Sequence, residues 1–192
     1  HRVHLVSDRA PFRMEDLGTE DLCAPPVAVH TVALPASPAL ACPPVTLALA
    51  GKLAEVARSE GLDVLHAHYA LPNASALQLA RAALGSGAPA SVVTLHGTDV
   101  VPLGADPAYR DVVRAALLDA GALTAPSAHL AARAEAVFDL PERPRVVPNF
   151  VDPDRFRAAP ACARPRPFTV IHVSNFRPVK RVGDAVAAFA QL

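Results

Sequence analysis

Histidines are concentrated at the ends of two predicted strands. His66 and His68 lie one residue apart at the end of one strand, and His96 and Asp99 follow another. Imidazoles and carboxylates hold zinc in metal-dependent hydrolases and let it activate water, so one hypothesis is a metal site made of these four residues. We expect His66 and His68 to lie on opposite faces and to make a poor pair. The interpretation we favour is that His66 packs against the sheet while another imidazole faces a pocket.

The segment 94–99, TLHGTD, places several hydrogen-bonding side chains beside one sharp turn. Gly97 permits that turn because it has no Cβ. Together with Tyr69 at the end of the preceding strand, this segment offers a phenol, a hydroxyl and an imidazole, which can hold a small polar anion or a sugar. The alternative is a plain strand-to-helix connection in which Thr98 or Asp99 caps a turn. The presence of Tyr69 favours the ligand site.

A second polar turn, SNFRPVKR at 174–181, concentrates positive charge between a predicted strand and a helix. Arg177, Lys180 and Arg181 supply a guanidinium fork and an ammonium group beside the start of the helix, an arrangement that binds diphosphates. A solvated basic turn is the alternative. Because the turn opens a second α/β segment, we favour the diphosphate interpretation.

The elements that must position these residues follow from hydrophobic periodicity. We predict strands at 3–6, 27–32, 63–66, 91–95, 122–125 and 145–148, and helices at 46–59, 72–84, 108–119 and 127–138. Strands that alternate with helices indicate an α/β fold with a parallel sheet, in which ligands bind at the carboxyl ends of the strands. After a Pro- and Arg-rich stretch from about residue 150 to 167, a strand at 168–173 restarts the pattern. That stretch is the predicted domain boundary.

Composition excludes several classes of protein. The 192 residues carry 18 basic and 18 acidic side chains, so no global charge attracts nucleic acid. No apolar run approaches the roughly 20 residues that span a bilayer. The three cysteines lie outside any CxxC spacing, which fits a reducing cytoplasm. No GxSxG or GxGxxG motif is present, so the chemistry is expected to depend on positioning and electrostatics.

Four segments in the same order carry a family resemblance: LDVLHAHYALP, VVTLHGTDV, VVPNFVD and HVSNFRPVKRVGDAV. Together they resemble the retaining GT-B glycosyltransferases of family 4, and most of all the branch that glycosylates L-malate in bacillithiol biosynthesis. The resemblance implies two Rossmann-like domains. Residues 1–150 would form the acceptor-binding domain, 151–167 the linker, and 168–192 the first βα unit of the nucleotide-sugar domain.

The resemblance also implies the reaction, in which N-acetylglucosamine moves from UDP-N-acetylglucosamine to L-malate with retention and without a metal or other cofactor. His96 would orient the sugar, and Arg177 and Lys180 would stabilise the leaving diphosphate, with Asn175 beside them on the donor. Acceptor contacts are expected from five residues: Tyr69, Thr94, Thr98, Arg114 and Asn149. The helix that carries Arg114 could equally turn that residue to solvent.

Alternatives to this function remain open at the level of sequence. An inositol phosphate could replace malate as the acceptor, and the chain could be the metal-dependent hydrolase described above or a non-catalytic anion-binding module. The resemblance suggests a homodimer. It also implies that the family's first strand and Gly-rich loop precede His1 and that further donor contacts follow Leu192, so we expect the 192-residue fragment alone to be inactive.

Overall fold

The computed structural model describes residues 1–8, 27–34, 42–101, 104, 106–154, 156–157 and 169–191. These residues form two compact units, His1–Asn149 and Phe150–Leu192. Most of the predicted linker and the first residue of the predicted strand at 168–173 lie outside the described residues.

The first unit alternates strands and helices, as the periodicity predicts. Its strands are β1 Val3–Ser7, β2 Val27–Thr31, β3 Val64–His68, β4 Ala90–Thr94, β5 Ala122–Ala125 and β6 Arg145–Val146. Its helices are α1 Val45–Glu60, α2 Ser75–Leu84, α3 Pro107–Asp119 and α4 Ala128–Phe138. A kinked segment, Ala70–Ala74, in which Leu71 has extended rather than helical backbone angles, joins β3 to α2. The predicted α/β fold with parallel strands is confirmed.

The strands form two parallel sheets among the described residues. One contains β1 and β2, and the other has the order β3-β4-β5-β6. In the larger sheet, Leu65, Ala67, Val93 and Leu95 are buried on one face, where they pack with apolar residues of α2, α3 and α4. Successive residues of a strand point to opposite faces, so His66, between Leu65 and Ala67, and Thr94, between Val93 and Leu95, lie on the other face.

Local signals fix where the helices begin and end. Asp106 accepts a hydrogen bond from the Ala108 N–H at 2.9 Å and precedes Pro107 in the first turn of α3. Ser127 caps α4 by accepting from the Leu130 N–H at 3.2 Å. Such caps satisfy backbone N–H groups that have no partner inside the helix. Both helices therefore start immediately after the loops that follow β4 and β5.

The second unit differs from the prediction. Residues 169–173 form no strand, and Ile171 and Val173 are each 84% exposed. No strand of the expected βα unit forms in residues 169–173, because none of the described residues pairs with this segment and an isolated strand leaves its backbone groups without partners. The helix that follows is present as α5, Val182–Phe189.

No helix in the described part of the chain has both the length and the apolar character needed to cross a membrane.

Candidate functional site

Five polar side chains meet at the carboxyl ends of β3, β4 and β5. The register pairs His68 with Thr94 and Thr94 with Thr124, which brings these residues side by side on neighbouring strands. His66 lies on the same face of β3, and His96 follows the end of β4. We call His66, His68, Thr94, His96 and Thr124 the strand-end cluster. It lies where parallel α/β sheets bind ligands.

Hydrogen bonds connect the cluster in two short chains. His66 Nε2 lies 2.7 Å from Thr94 Oγ1, which lies 2.7 Å from Thr124 Oγ1. His68 Nδ1 lies 2.9 Å from His96 Nε2. The expectation that His66 and His68 lie on opposite faces is wrong: their rings stack with centroids 4.4 Å apart, because residues two apart in a strand share a face. The favoured interpretation that His66 packs against the sheet also differs from the structure, in which His66 is exposed.

Tyr69 extends this cluster toward solvent. Its backbone N–H donates to the Thr94 carbonyl oxygen at 2.9 Å, and its ring lies 4.5 Å from the His96 ring, centroid to centroid. The Tyr69 backbone has a φ of 72°, a value that costs energy for a residue with a side chain and that is concentrated at functional sites. Tyr69 remains 43% exposed, so a ligand can contact this side chain.

Asp99 is buried and holds the loops that carry Tyr69 and His96 in place. Its carboxylate accepts hydrogen bonds from the backbone N–H groups of Ala70 at 2.9 Å, His96 at 3.0 Å and Gly97 at 2.7 Å. Gly97 has a φ of 116°, which favours glycine. Asp99 therefore ties the loop after β3 to the loop after β4 through backbone groups. This role is closer to the capping alternative than to a metal ligand.

Partial burial lowers the pKa of His66, and the nearby charge of His96 lowers it further. The pKa of His68 is also lowered, first by burial and then by the charges of His66 and His96. A charged imidazole disfavours a proton on His66 or His68 because like charges repel at these distances. His66 and His68 are therefore neutral near pH 7.

The donor set does not fit the metal hypothesis. Among the described residues, no group of three or more His, Cys, Asp or Glu side chains is arranged to hold a metal ion. Both Asp99 carboxylate oxygens accept from backbone N–H groups, and His68 and His96 point ring nitrogens at each other. The hypothesis that His66, His68, His96 and Asp99 form a zinc site is therefore not supported by their geometry.

The other predicted acceptor residues lie elsewhere in the first unit. Thr98 is exposed in the turn after His96, and Asn149 is exposed at the end of the unit. The Arg114 guanidinium donates to the Asp139 carbonyl oxygen at 3.1 Å. The helix α4 begins next to the carboxyl end of β5 and runs away from it. Asp139 follows the last residue of α4, so it lies at the far end of the helix from the strand ends. The structure does not bring Arg114 to the strand-end cluster.

The predicted donor residues belong to the second unit. Arg177 precedes a short 3₁₀ turn, Pro178–Lys180, and the Lys180 N–H donates to the Arg177 carbonyl oxygen at 2.8 Å. Asn175, Arg177 and Lys180 are exposed. Arg181, the third cation of the turn, forms an ion pair with Asp184 in α5. None of the described residues pairs with the Arg177 or Lys180 side chain, so both cations are available to an anion.

Thr124 is the member of the cluster that the sequence analysis missed. It lies one residue before the end of β5, and its hydroxyl meets that of Thr94. A threonine on the strand next to a predicted site strand was the available signal.

Comparison with known proteins agrees with this fold. Residues 1–155 match the model of glycosyltransferase family 4. The chain therefore belongs to glycosyltransferase family 4. It is 34% identical over 199 aligned positions to N-acetyl-alpha-D-glucosaminyl L-malate synthase of Bacillus anthracis, an alignment that covers all of this chain and 50% of the relative. The chain thus spans about half the length of the curated relative it matches.

Proposed function

We propose that the protein containing this chain transfers N-acetylglucosamine from UDP-N-acetylglucosamine to L-malate with retention of configuration. The strand-end cluster and the adjoining Tyr69 carry this proposal, because together they place hydroxyl, phenol and imidazole groups at the ligand-binding edge of the sheet. The identity with the malate synthase along the whole chain supports L-malate over other acceptors.

In this proposal the first unit holds the acceptor and orients the sugar, and the second unit holds the donor diphosphate. Tyr69, Thr94 and Thr98 of the first unit hold the acceptor, with Asn149 at the crossover, and His96 orients the sugar. Asn175, Arg177 and Lys180 hold the donor diphosphate, since a guanidinium and an ammonium group form charge-assisted hydrogen bonds with phosphate oxygens. Arg114 retains its predicted acceptor role only if it leaves its bond to Asp139.

The transfer itself needs no nucleophile from the protein. The bond between the anomeric carbon and the diphosphate oxygen breaks, and the malate hydroxyl oxygen bonds to the same face of that carbon. The hydroxyl proton passes to the departing diphosphate. Negative charge grows on the diphosphate in the transition state, and stabilising that charge is the task of Arg177 and Lys180. Orientation by the strand-end cluster supplies the remainder of the rate enhancement.

An acceptor comparison tests the proposal. The full-length protein is incubated with UDP-N-acetylglucosamine and chelator, together with L-malate, an inositol phosphate or no acceptor, and UDP release is measured. We expect release that depends on L-malate. UDP release that depends only on the inositol phosphate would show that this compound, and not malate, is the acceptor. No UDP release with either acceptor would reject the proposed transfer reaction.

A further inference from the structure

His96 has one ring nitrogen already occupied inside the protein. Its Nε2 lies 2.9 Å from His68 Nδ1, so one of these nitrogens carries the hydrogen and donates a hydrogen bond, and the other accepts it. The described residues offer no hydrogen-bond partner to His96 Nδ1, which makes Nδ1 the nitrogen that can meet a substrate. Whether Nδ1 donates or accepts a hydrogen bond depends on whether Nε2 carries the hydrogen, because a neutral imidazole has a single N–H.

The backbone around this pair is held firmly. Asp99 binds the N–H groups of Ala70 and His96, which follow β3 and β4. The side-chain amide of Asn73 donates to the His68 carbonyl oxygen at 2.7 Å. His66 stacks on His68 with ring centroids 4.4 Å apart and is itself bound to Thr94. His68 therefore approaches His96 from a fixed position.

The protonation of the pair follows from these contacts. The lowered pKa keeps His68 neutral near pH 7, so His68 has one N–H to place. A neutral histidine side chain intrinsically prefers the proton on Nε2. If both rings keep that preference, His96 Nε2–H donates a hydrogen bond to His68 Nδ1, and the His96 Nδ1 lone pair is left to accept a hydrogen bond from a hydroxyl. The reverse arrangement places both rings in the less stable tautomer.

We infer that His68 is a positioning residue that fixes the orientation and tautomer of His96, so that His96 Nδ1 accepts a hydrogen bond from a hydroxyl of the bound sugar. This inference rests on the proposed function, in which His96 orients the sugar. His68 itself does not contact substrate. Its effect reaches the reaction only through the His96 ring.

The test uses the full-length protein and three variants. His68→Phe keeps a flat ring but loses Nδ1, and His68→Asn retains a hydrogen-bonding group near the position of Nδ1. His30→Phe is the matched control, because His30 Nε2 lies 3.0 Å from His4 Nδ1 in the other hydrogen-bonded histidine pair of the first unit, on β1 and β2.

We expect His68→Phe to lower kcat by about 10- to 100-fold with little change in the KM for malate, since a misplaced group acts on the transition state. His68→Asn should recover part of the loss, and His30→Phe should retain the wild-type rate. A wild-type kcat in His68→Phe overturns the inference, as does an equal loss in His30→Phe.

Imidazole ¹⁵N NMR of the wild-type protein tests the same inference without a variant. We expect His96 to show the Nε2–H tautomer alone at pH 7.5, and a mixture of tautomers or the Nδ1–H form would overturn the inference. This spectrum is independent of turnover. An absence of product from wild-type protein with malate would thus count against the proposed function, while the spectrum still decides the role of His68.

Discussion

The carboxylate of Asp99 binds backbone N–H groups of the site and does not face the ligand-binding edge. Three N–H groups, from Ala70, His96 and Gly97, converge on its two oxygens in a position where the residue is 1% exposed. A buried carboxylate is stable only when such donors surround it. The positions of the side chains in the strand-end cluster therefore depend on Asp99, which does not itself face the ligand-binding edge.

Replacing this carboxylate tests its role. Asp99→Asn keeps the size but turns an amide N–H₂ toward backbone donors, which leaves buried groups without acceptors. We expect a loss of about 2 to 4 kcal/mol in the free energy of unfolding, measured by urea denaturation. Asp63→Asn, at an exposed position before β3, is the control and should change stability by less than about 0.5 kcal/mol. Equal stability of the two variants would contradict the role assigned to Asp99.

The histidines of the cluster predict a pH dependence of stability. The pKa values of His66 and His68 in the folded chain lie below their usual value of 6.5. The unfolded chain therefore binds more protons than the folded chain as the pH falls through 6.5, so the stability these two residues contribute is complete above that pH and is lost below it.

We expect the urea midpoint to fall between about pH 7.5 and pH 5.5, the range in which histidine titrates, and to fall less in the double variant His66→Phe/His68→Phe. The same fall in the double variant and in wild-type protein would show that other groups cause it.

At the scale of elements, the sequence predicted what is locally encoded. β3, β4 and β5 were predicted to within two residues at each end, because apolar stretches there are bounded by turn residues and alternate with amphipathic helices. The strand at 168–173 has the same apolar pattern but does not form in 169–173. A strand requires a neighbour, and neighbours are not encoded in the segment itself.

The same distinction separates the parts of the site that were predicted from those that were not. Placement of His96, Tyr69 and Thr94 at strand ends follows from element boundaries. The partners of Thr94 depend on register between strands, which the sequence does not display, so the bond to Thr124 was missed. The use of Asp99 oxygens depends on loop conformation after Gly97 and was left between two alternatives.

Two glycines provide a matched test of element packing. A Cβ at Gly104 would lie against Phe138 Cζ and within 2.8 Å of the carbonyl oxygens of Asp99 and Val100, whereas a Cβ at Gly51 in α1 meets nothing within 4 Å. We expect Gly104→Ala to destabilise the chain by about 1 to 3 kcal/mol through crowding. Gly51→Ala should stabilise it by about 0.5 to 1 kcal/mol, because alanine favours a helix interior. Thermal unfolding that shifts in the same direction in both variants would refute this packing.

At the scale of the whole molecule, the candidate residues are divided between two units. The first unit has a buried core and carries the strand-end cluster on its larger sheet. The second unit carries the basic turn and exposes large apolar side chains such as Ile171 and Val173. The proposed chemistry needs residues from both units, and the matched relative is about twice as long as this chain. The activity is therefore proposed for the full-length protein.

One spectrum tests the central claim most directly. Proton NMR of the full-length protein with UDP-N-acetylglucosamine and L-malate follows the anomeric proton of the sugar as the reaction proceeds. We expect the donor signal to be replaced by that of an α-linked N-acetylglucosaminyl malate, with UDP formed in equal amount. A β-linked product would contradict retention, and a donor signal that persists, or that is replaced only by free N-acetylglucosamine, would contradict transfer to malate.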